Sequence, residues 1–264
     1  MKLMLFTLFC FQIALADEVT IIKQWHLSPG VKTIDVEASK KLPQFTNQKN
    51  IYLKLAKMLD EKPVTIVSEG CSQEISKEAH YGWSIENLSK KKASADYSDI
   101  LAFTPVKLKV KYGEKAKIVC ADDEVLMKKN LLAFSDLRAF SGFYTRLKQF
   151  KDTDKASYKR YEAALFDKEK EKIGKVDALK FAREKALNAL AEIENYIENR
   201  NKKFVEGVKK TLSENPVLIV GGLHAKGLVT LFEKENIKFS VIVPEGYNEA
   251  DEKLLESLKL GLQR

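Results

Sequence analysis

The chain has 264 residues, 45% of them hydrophobic and 31% charged, which supplies a sizeable core and excludes a disordered composition. Its formal charge of +8 keeps anionic partners in view, but no basic-aromatic cluster or nucleic-acid motif accompanies it, so no nucleic-acid partner is expected. The length suits one large domain, or one domain with an insertion.

The first element, MKLMLFTLFCFQIALA (1–16), has one lysine, an apolar run and Ala14-Leu15-Ala16 before Asp17. It reads as a secretory signal peptide with a small-x-small cleavage site near Ala16. Phe9 stands before Cys10, where a lipoprotein signal needs a small residue. Nothing later approaches the roughly 18 apolar residues of a membrane span. The mature protein is therefore expected to be exported, periplasmic or secreted, as a single domain over 17–264 with no transmembrane segment. It keeps Cys71 and Cys120, which an oxidising compartment allows to pair; a disulfide and two buried free thiols both remain open. Their spacing gives no zinc-ribbon signal.

Short β-branched runs follow: 19–26 (VTIIKQWH), 64–70 (VTIVSEG), 117–123 (KIVCADD), 217–224 (VLIVGGLH) and 238–246 (KFSVIVPEG). Between the first two, residues 44–60 carry Ile51, Leu53, Leu55, Ala56 and Leu59 at helical spacing. Residues 100–113 alternate like a strand but also suit a helix after Pro105. From about 124 to 213 the chain is rich in Lys, Glu, Ala and Leu. Val176, Leu179, Ala182, Ala186, Leu190, Ile193 and Ile197 form a helical stripe there, continued by Phe204, Val208 and Leu212. This order predicts an α/β fold: a mostly parallel central sheet in two halves, flanked by helices, with a long helical insertion in the middle.

The apolar runs stop at His26, at Glu69, at Asp122 and Asp123, and at His224. In a parallel sheet these ends share one edge, the usual place for a ligand site. His224 is thus expected at the end of a buried strand, with Gly221 and Gly222 allowing close approach or a sharp exit. Asp122 and Asp123 read first as caps of the following helix. His80, in EAHYGW, reads as a surface-loop residue, with a third imidazole over the site as the sharper alternative. Trp25 and Trp83 suit a cleft wall or the core, and Lys226 suits an anion or plain solvent. The glycines around 221–227 fit neither a dinucleotide fingerprint nor a P-loop, and no serine-hydrolase elbow or zinc helix is present.

The stretch from Glu198 to Gly246 resembles the TraB/TIKI family, grouped with erythromycin-esterase-like and ChaN-like proteins. It carries an Arg-Asn pair (Arg200, Asn201), an apolar strand, G-x-x-H (Gly221, His224), Gly227, a helix and a final strand. The family's first G-x-x-H and its glutamate fall on His26 and Glu69, with Lys23 where the first glycine stands. The resemblance implies a metal-dependent hydrolase, peptidase- or esterase-like, acting on an unknown small-molecule or peptide substrate. His26, Glu69 and His224 would hold a divalent transition metal (Mn²⁺, Co²⁺ or Zn²⁺) or act on water. Arg200 would pair with Glu69 or hold a substrate oxygen, and Asn201 would orient a neighbour. The alternative on the same scaffold is a non-catalytic exported binding protein, for example for haem.

Overall fold

The computed structural model describes residues 18–25, 41–72, 104–169 and 176–263. The signal-peptide segment, His26, His80 and Trp83 lie outside the described residues. Five strands form one all-parallel sheet: β1 (Glu18–Gln24), β2 (Val64–Ser68), β3 (Ala116–Cys120), β4 (Val217–Gly221) and β5 (Lys238–Ile242), in the order β3-β2-β4-β1-β5. Seven helices flank it among the described residues: α1 (Pro43–Glu61), α2 (Thr104–Tyr112), α3 (Glu124–Phe150), α4 (Lys155–Glu169), α5 (Ala178–Lys209), α6 (Gly222–Lys234) and α7 (Leu254–Gln263). The expected α/β fold with a long helical middle is what forms. The two sequence halves interleave, because β4 hydrogen-bonds to β2 on one side and β1 on the other.

Every residue of β2 and β4 is buried, so these strands need apolar side chains on both faces and read as continuous runs. On one face Ile22, Ile66 and Ile219 pack against Ile51, Leu55 and Leu59 of α1 and Leu108 of α2. On the other, Ile21, Val67, Leu218 and Val220 meet Phe204 and Val208 of α5 and Leu228 and Phe232 of α6. A third core is purely helical: Leu137, Phe140 and Leu147 of α3, Leu165 and Phe166 of α4, and Leu190 and Ile193 of α5.

Helix α5 serves two of these cores. Its 32 residues run about 48 Å at 1.5 Å per residue, far longer than a five-residue strand. Its C-terminal turns cover the sheet, and the rest stands clear with α3. Where it passes the end of β3 the two chains come close: a Cβ at Gly207 would lie 2.6 Å from Ala121 Cβ.

Two expectations are corrected, and the choice left open over 100–113 is decided for its described residues. The fourth strand stops at Gly221, and Gly222 already begins α6, so His224 sits in the first turn of a helix and not on the strand. The third strand stops at Cys120 and the fifth at Ile242, because strand pairing ends there. Residues 104–112 are helical, with Leu108 fully buried.

Candidate functional site

The register brings the carboxyl ends together: Gln24 faces Gly221 across β1 and β4, while Ser68 faces Ile219 on β4 and Cys120 on β3. Residues just past these ends are placed to point side chains along the edge, Glu69 with its N–H still on Ile219 O at 3.1 Å. Glu69, Asp122 and His224 do so, and Arg200 with Asn201 comes down on them from α5.

Arg200 is the centre. Its Nε donates to Asp122 Oδ1 at 2.9 Å and its Nη2 to Asp122 Oδ2 at 2.7 Å, a two-point clamp. The same Nη2 donates to Glu69 Oε1 at 3.0 Å. Only 6% of Arg200 is exposed, and burial by itself would lower its pKa. The Asp122 hydrogen bond and the charges of Glu69 and Asp122 outweigh that and raise it, so the guanidinium stays charged. Phe204, one turn along α5, lies under it with the ring centroid 5.9 Å away.

The two carboxylates are held from the backbone as well. Asp122 Oδ2 accepts from Gly70 N–H and Oδ1 from Asp123 N–H, both at 2.9 Å, so all four of its lone-pair directions are used. Glu69 Oε2 accepts from Gly221 N–H at 2.6 Å, placing its charge at the N-terminus of α6, where the helix dipole favours an anion. Gly221 is the cap residue of that helix and has no side chain to cap it; Glu69 takes the N–H of Gly221 itself. Asp123 is the expected helix cap, accepting from Leu126 N–H at 2.9 Å; its neighbour Asp122 is not.

His224 is 2% exposed and sits between α5 and Glu69. Its Nδ1 lies 2.6 Å from Asn201 Oδ1, an atom that only accepts, so Nδ1 carries a proton and donates. Nε2 is thereby the nitrogen turned to Glu69 Oε1, at 3.3 Å. The Phe204 ring meets the imidazole edge-on, with centroids 5.2 Å apart. Gly227, one turn further along α6, makes room: a Cβ there would run into Asn201 Nδ2. The motif glycine therefore serves the amide that orients the motif histidine.

Lys23 pairs with Glu252 at 2.6 Å, and Glu252 also accepts from Tyr247 OH. Buried Asn47 of α1 accepts from Trp25 N–H at 2.7 Å, and Gln48 donates to Trp25 O at 2.9 Å, so α1 fixes the exit of β1. Lys226 is exposed and 3.4 Å from Glu256. Cys71 and Cys120 form a disulfide, with Cα atoms 4.7 Å apart.

Thus Glu69, Arg200, Asn201, His224 and Gly221 come together, and Gly222 opens α6 beside them. Asp122 joins them, a site residue that the sequence reading assigned to capping. The metal expectation needs three or more protein donors. Among the described residues no group of three His, Cys, Asp or Glu side chains is placed to hold an ion. Asp122 has no lone pair left, which leaves Glu69 and His224. The described residues therefore do not make up a transition-metal site on their own.

No family model, curated protein or solved structure matches this chain. Among the described residues no helix is long and apolar enough to cross a membrane.

Proposed function

We propose that the protein is an exported hydrolase of a peptide, ester or lactone, working through Glu69, His224 and Arg200 at the carboxyl edge of the sheet. The observation that carries this reading is Nε2 of a buried histidine set 3.3 Å from a buried carboxylate, with its other nitrogen tied to Asn201. An imidazole oriented by one partner and facing an acid is the arrangement that takes and returns a proton during attack of water on a carbonyl. Arg200 supports it. With Nε and Nη2 engaged, its Nη1 makes no hydrogen bond to a described residue, and a fixed guanidinium N–H is suited to charge developing on a carbonyl oxygen. The divalent metal belongs to this proposal only through His26, as the ligand that would join Glu69 and His224.

The test is a panel of ester, lactone and peptide substrates on protein purified without metal-affinity tags, beside His224→Ala and Glu69→Gln, with metal content measured on each. Turnover that falls on the order of 10²-fold or more in both variants supports the reading. Undiminished turnover in His224→Ala sinks the site assignment. The binding-protein alternative is favoured by a separate observation. A cleft of about 270 Å³ is lined by Lys23, Lys226, Glu249, Glu252, Lys253 and Glu256. Its mixed charges suit a zwitterionic ligand better than haem. No turnover on any substrate class, with or without Mn²⁺, Co²⁺ or Zn²⁺, moves the assignment to that reading.

A further inference from the structure

The two acids that grip Arg200 stand just beyond the last paired residues of their strands. Strand pairing between β2 and β3 ends at Ser68 and Cys120, one residue before Glu69 and two before Asp122. Beyond that point the two segments are joined by Asp122 N–H to Cys71 O at 3.0 Å, Gly70 N–H to Asp122 Oδ2 at 2.9 Å, and the Cys71–Cys120 disulfide. The disulfide lies two residues after Glu69 on one segment and two before Asp122 on the other. The segments carry like charges on a single guanidinium; Glu69 is tied to β4 by Ile219 O and Gly221 N–H, so the seating of Asp122 depends on what joins its segment to that of Cys71.

We infer that the Cys71–Cys120 disulfide is a redox-sensitive fastener of this site: closed, it holds Glu69 and Asp122 on Arg200; reduced, it releases the clamp while the sheet stays folded. The argument is one of placement. Inside the sheet, β2 and β3 are held by their own ladder and by the apolar faces on either side, so opening the bond leaves Val64 to Ser68 where they are. Outside it, Glu69 keeps its own ties to β4 through Ile219 O and Gly221 N–H. Among the described residues the Asp122 segment is then joined to the Cys71 segment only by the Asp122 N–H to Cys71 O and Gly70 N–H to Asp122 Oδ2 bonds, so Asp122 is the acid that reduction frees. Cys71 is fully buried, and two thiols need more room than one S–S bond, so reduction pushes apart the segments whose approach forms the clamp. A dithiol such as dithiothreitol supplies the two electrons: the S–S bond breaks, each sulfur takes a proton, and the dithiol closes to its own disulfide. Asp122 is on this account a positioning residue, acting on the Glu69–His224 pair through Arg200.

The experiment follows the side-chain Nε–H of Arg200 by NMR in the folded protein, assigned from its loss in Arg200→Lys, as dithiothreitol is raised. The amides of Ile66 and Ile219 report the sheet in the same spectra. The expected result is loss of the resolved Arg200 resonance into the free-guanidinium envelope while the Ile66 and Ile219 resonances hold their places. The Cys71→Ala/Cys120→Ala double variant should show the same pattern without reductant. An Arg200 resonance that keeps its position in the reduced protein overturns the inference. So does simultaneous collapse of the strand resonances, since the bond would then hold the fold and not the site. No substrate is involved, so the outcome is independent of the hydrolase reading.

Discussion

Arg200 holds two buried carboxylates, and its removal leaves both without their shared countercharge. Deleting one partner of a buried pair typically costs about 3–5 kcal/mol, because the remaining charge stays desolvated. Arg200→Met should therefore lose a free energy of that size in urea unfolding; a loss under about 1 kcal/mol would mean that water already reaches the acids. A subtler test lies at Gly227. Its Cβ would displace the amide of Asn201, which is bonded to His224. Gly227→Ala should cost about 1–3 kcal/mol from overpacking, although alanine suits a helix better than glycine. Gly227→Ala combined with Asn201→Ala should recover the clash component, which a double-mutant cycle measures. Part of this site was legible in the sequence. Glu69 and His224 follow apolar runs, and Arg200-Asn201 interrupts the apolar stripe of α5 with two polar residues. Asp122 was not legible. An aspartate pair before a helix offers two caps, and only the approach of α5 decides that Asp123 caps while Asp122 turns to Arg200.

At the scale of elements, glycines of similar helical context have opposite expected effects. Gly207 faces Ala121 at the crossing of α5 with the end of β3, and a Cβ there has no room. Gly142 lies exposed in the middle of α3 with nothing within 4 Å of an added Cβ. Gly142→Ala should stabilise by about 0.5–1 kcal/mol, and Gly207→Ala should destabilise despite the same helix propensity gain. Thermal unfolding of the two variants compares them directly. The short turn before β4 carries a pH-dependent tie at the opposite edge of the sheet. Glu214 accepts from Lys117 of β3 and from Thr65 of β2, and these hydrogen bonds hold its pKa below the ordinary carboxylate value. A lowered folded pKa gives stability that is present above the unfolded value, near 4.3, and is lost as pH falls through the folded one. Glu214→Gln should flatten the acid limb of Tm against pH, modestly, because the pair is solvent-exposed. The elements themselves were mostly legible from period and β-branching. Their ends were less so: Gly221 and Gly222 extend an apolar run in sequence, yet Gly221 is the last strand residue and the backbone has turned into α6 at Gly222.

For the whole molecule, the alternation of apolar runs and helical stripes implied a parallel sheet, but the order β3-β2-β4-β1-β5 was not readable. Pairing partners such as Ile22 and Ile219 are nearly two hundred positions apart, and no local pattern names them. The same long-range closure makes the cross-link matter to the entire chain. Cys71 and Cys120 are separated by 49 positions, and closing a loop of that length removes unfolded-state entropy worth about 4 kcal/mol. Cys71→Ala/Cys120→Ala should lower the unfolding free energy by about that amount, from the 5–15 kcal/mol usual for a domain, leaving a folded protein. The urea m-value should rise in the double variant, because an unfolded chain without the cross-link exposes more surface. A rise in m together with the loss in stability assigns the effect to the unfolded state. A loss of stability at constant m places it instead in the native contacts around Cys71, which is buried between the segments that grip Arg200. The cross-link would then act on the site and on global stability through the same few residues.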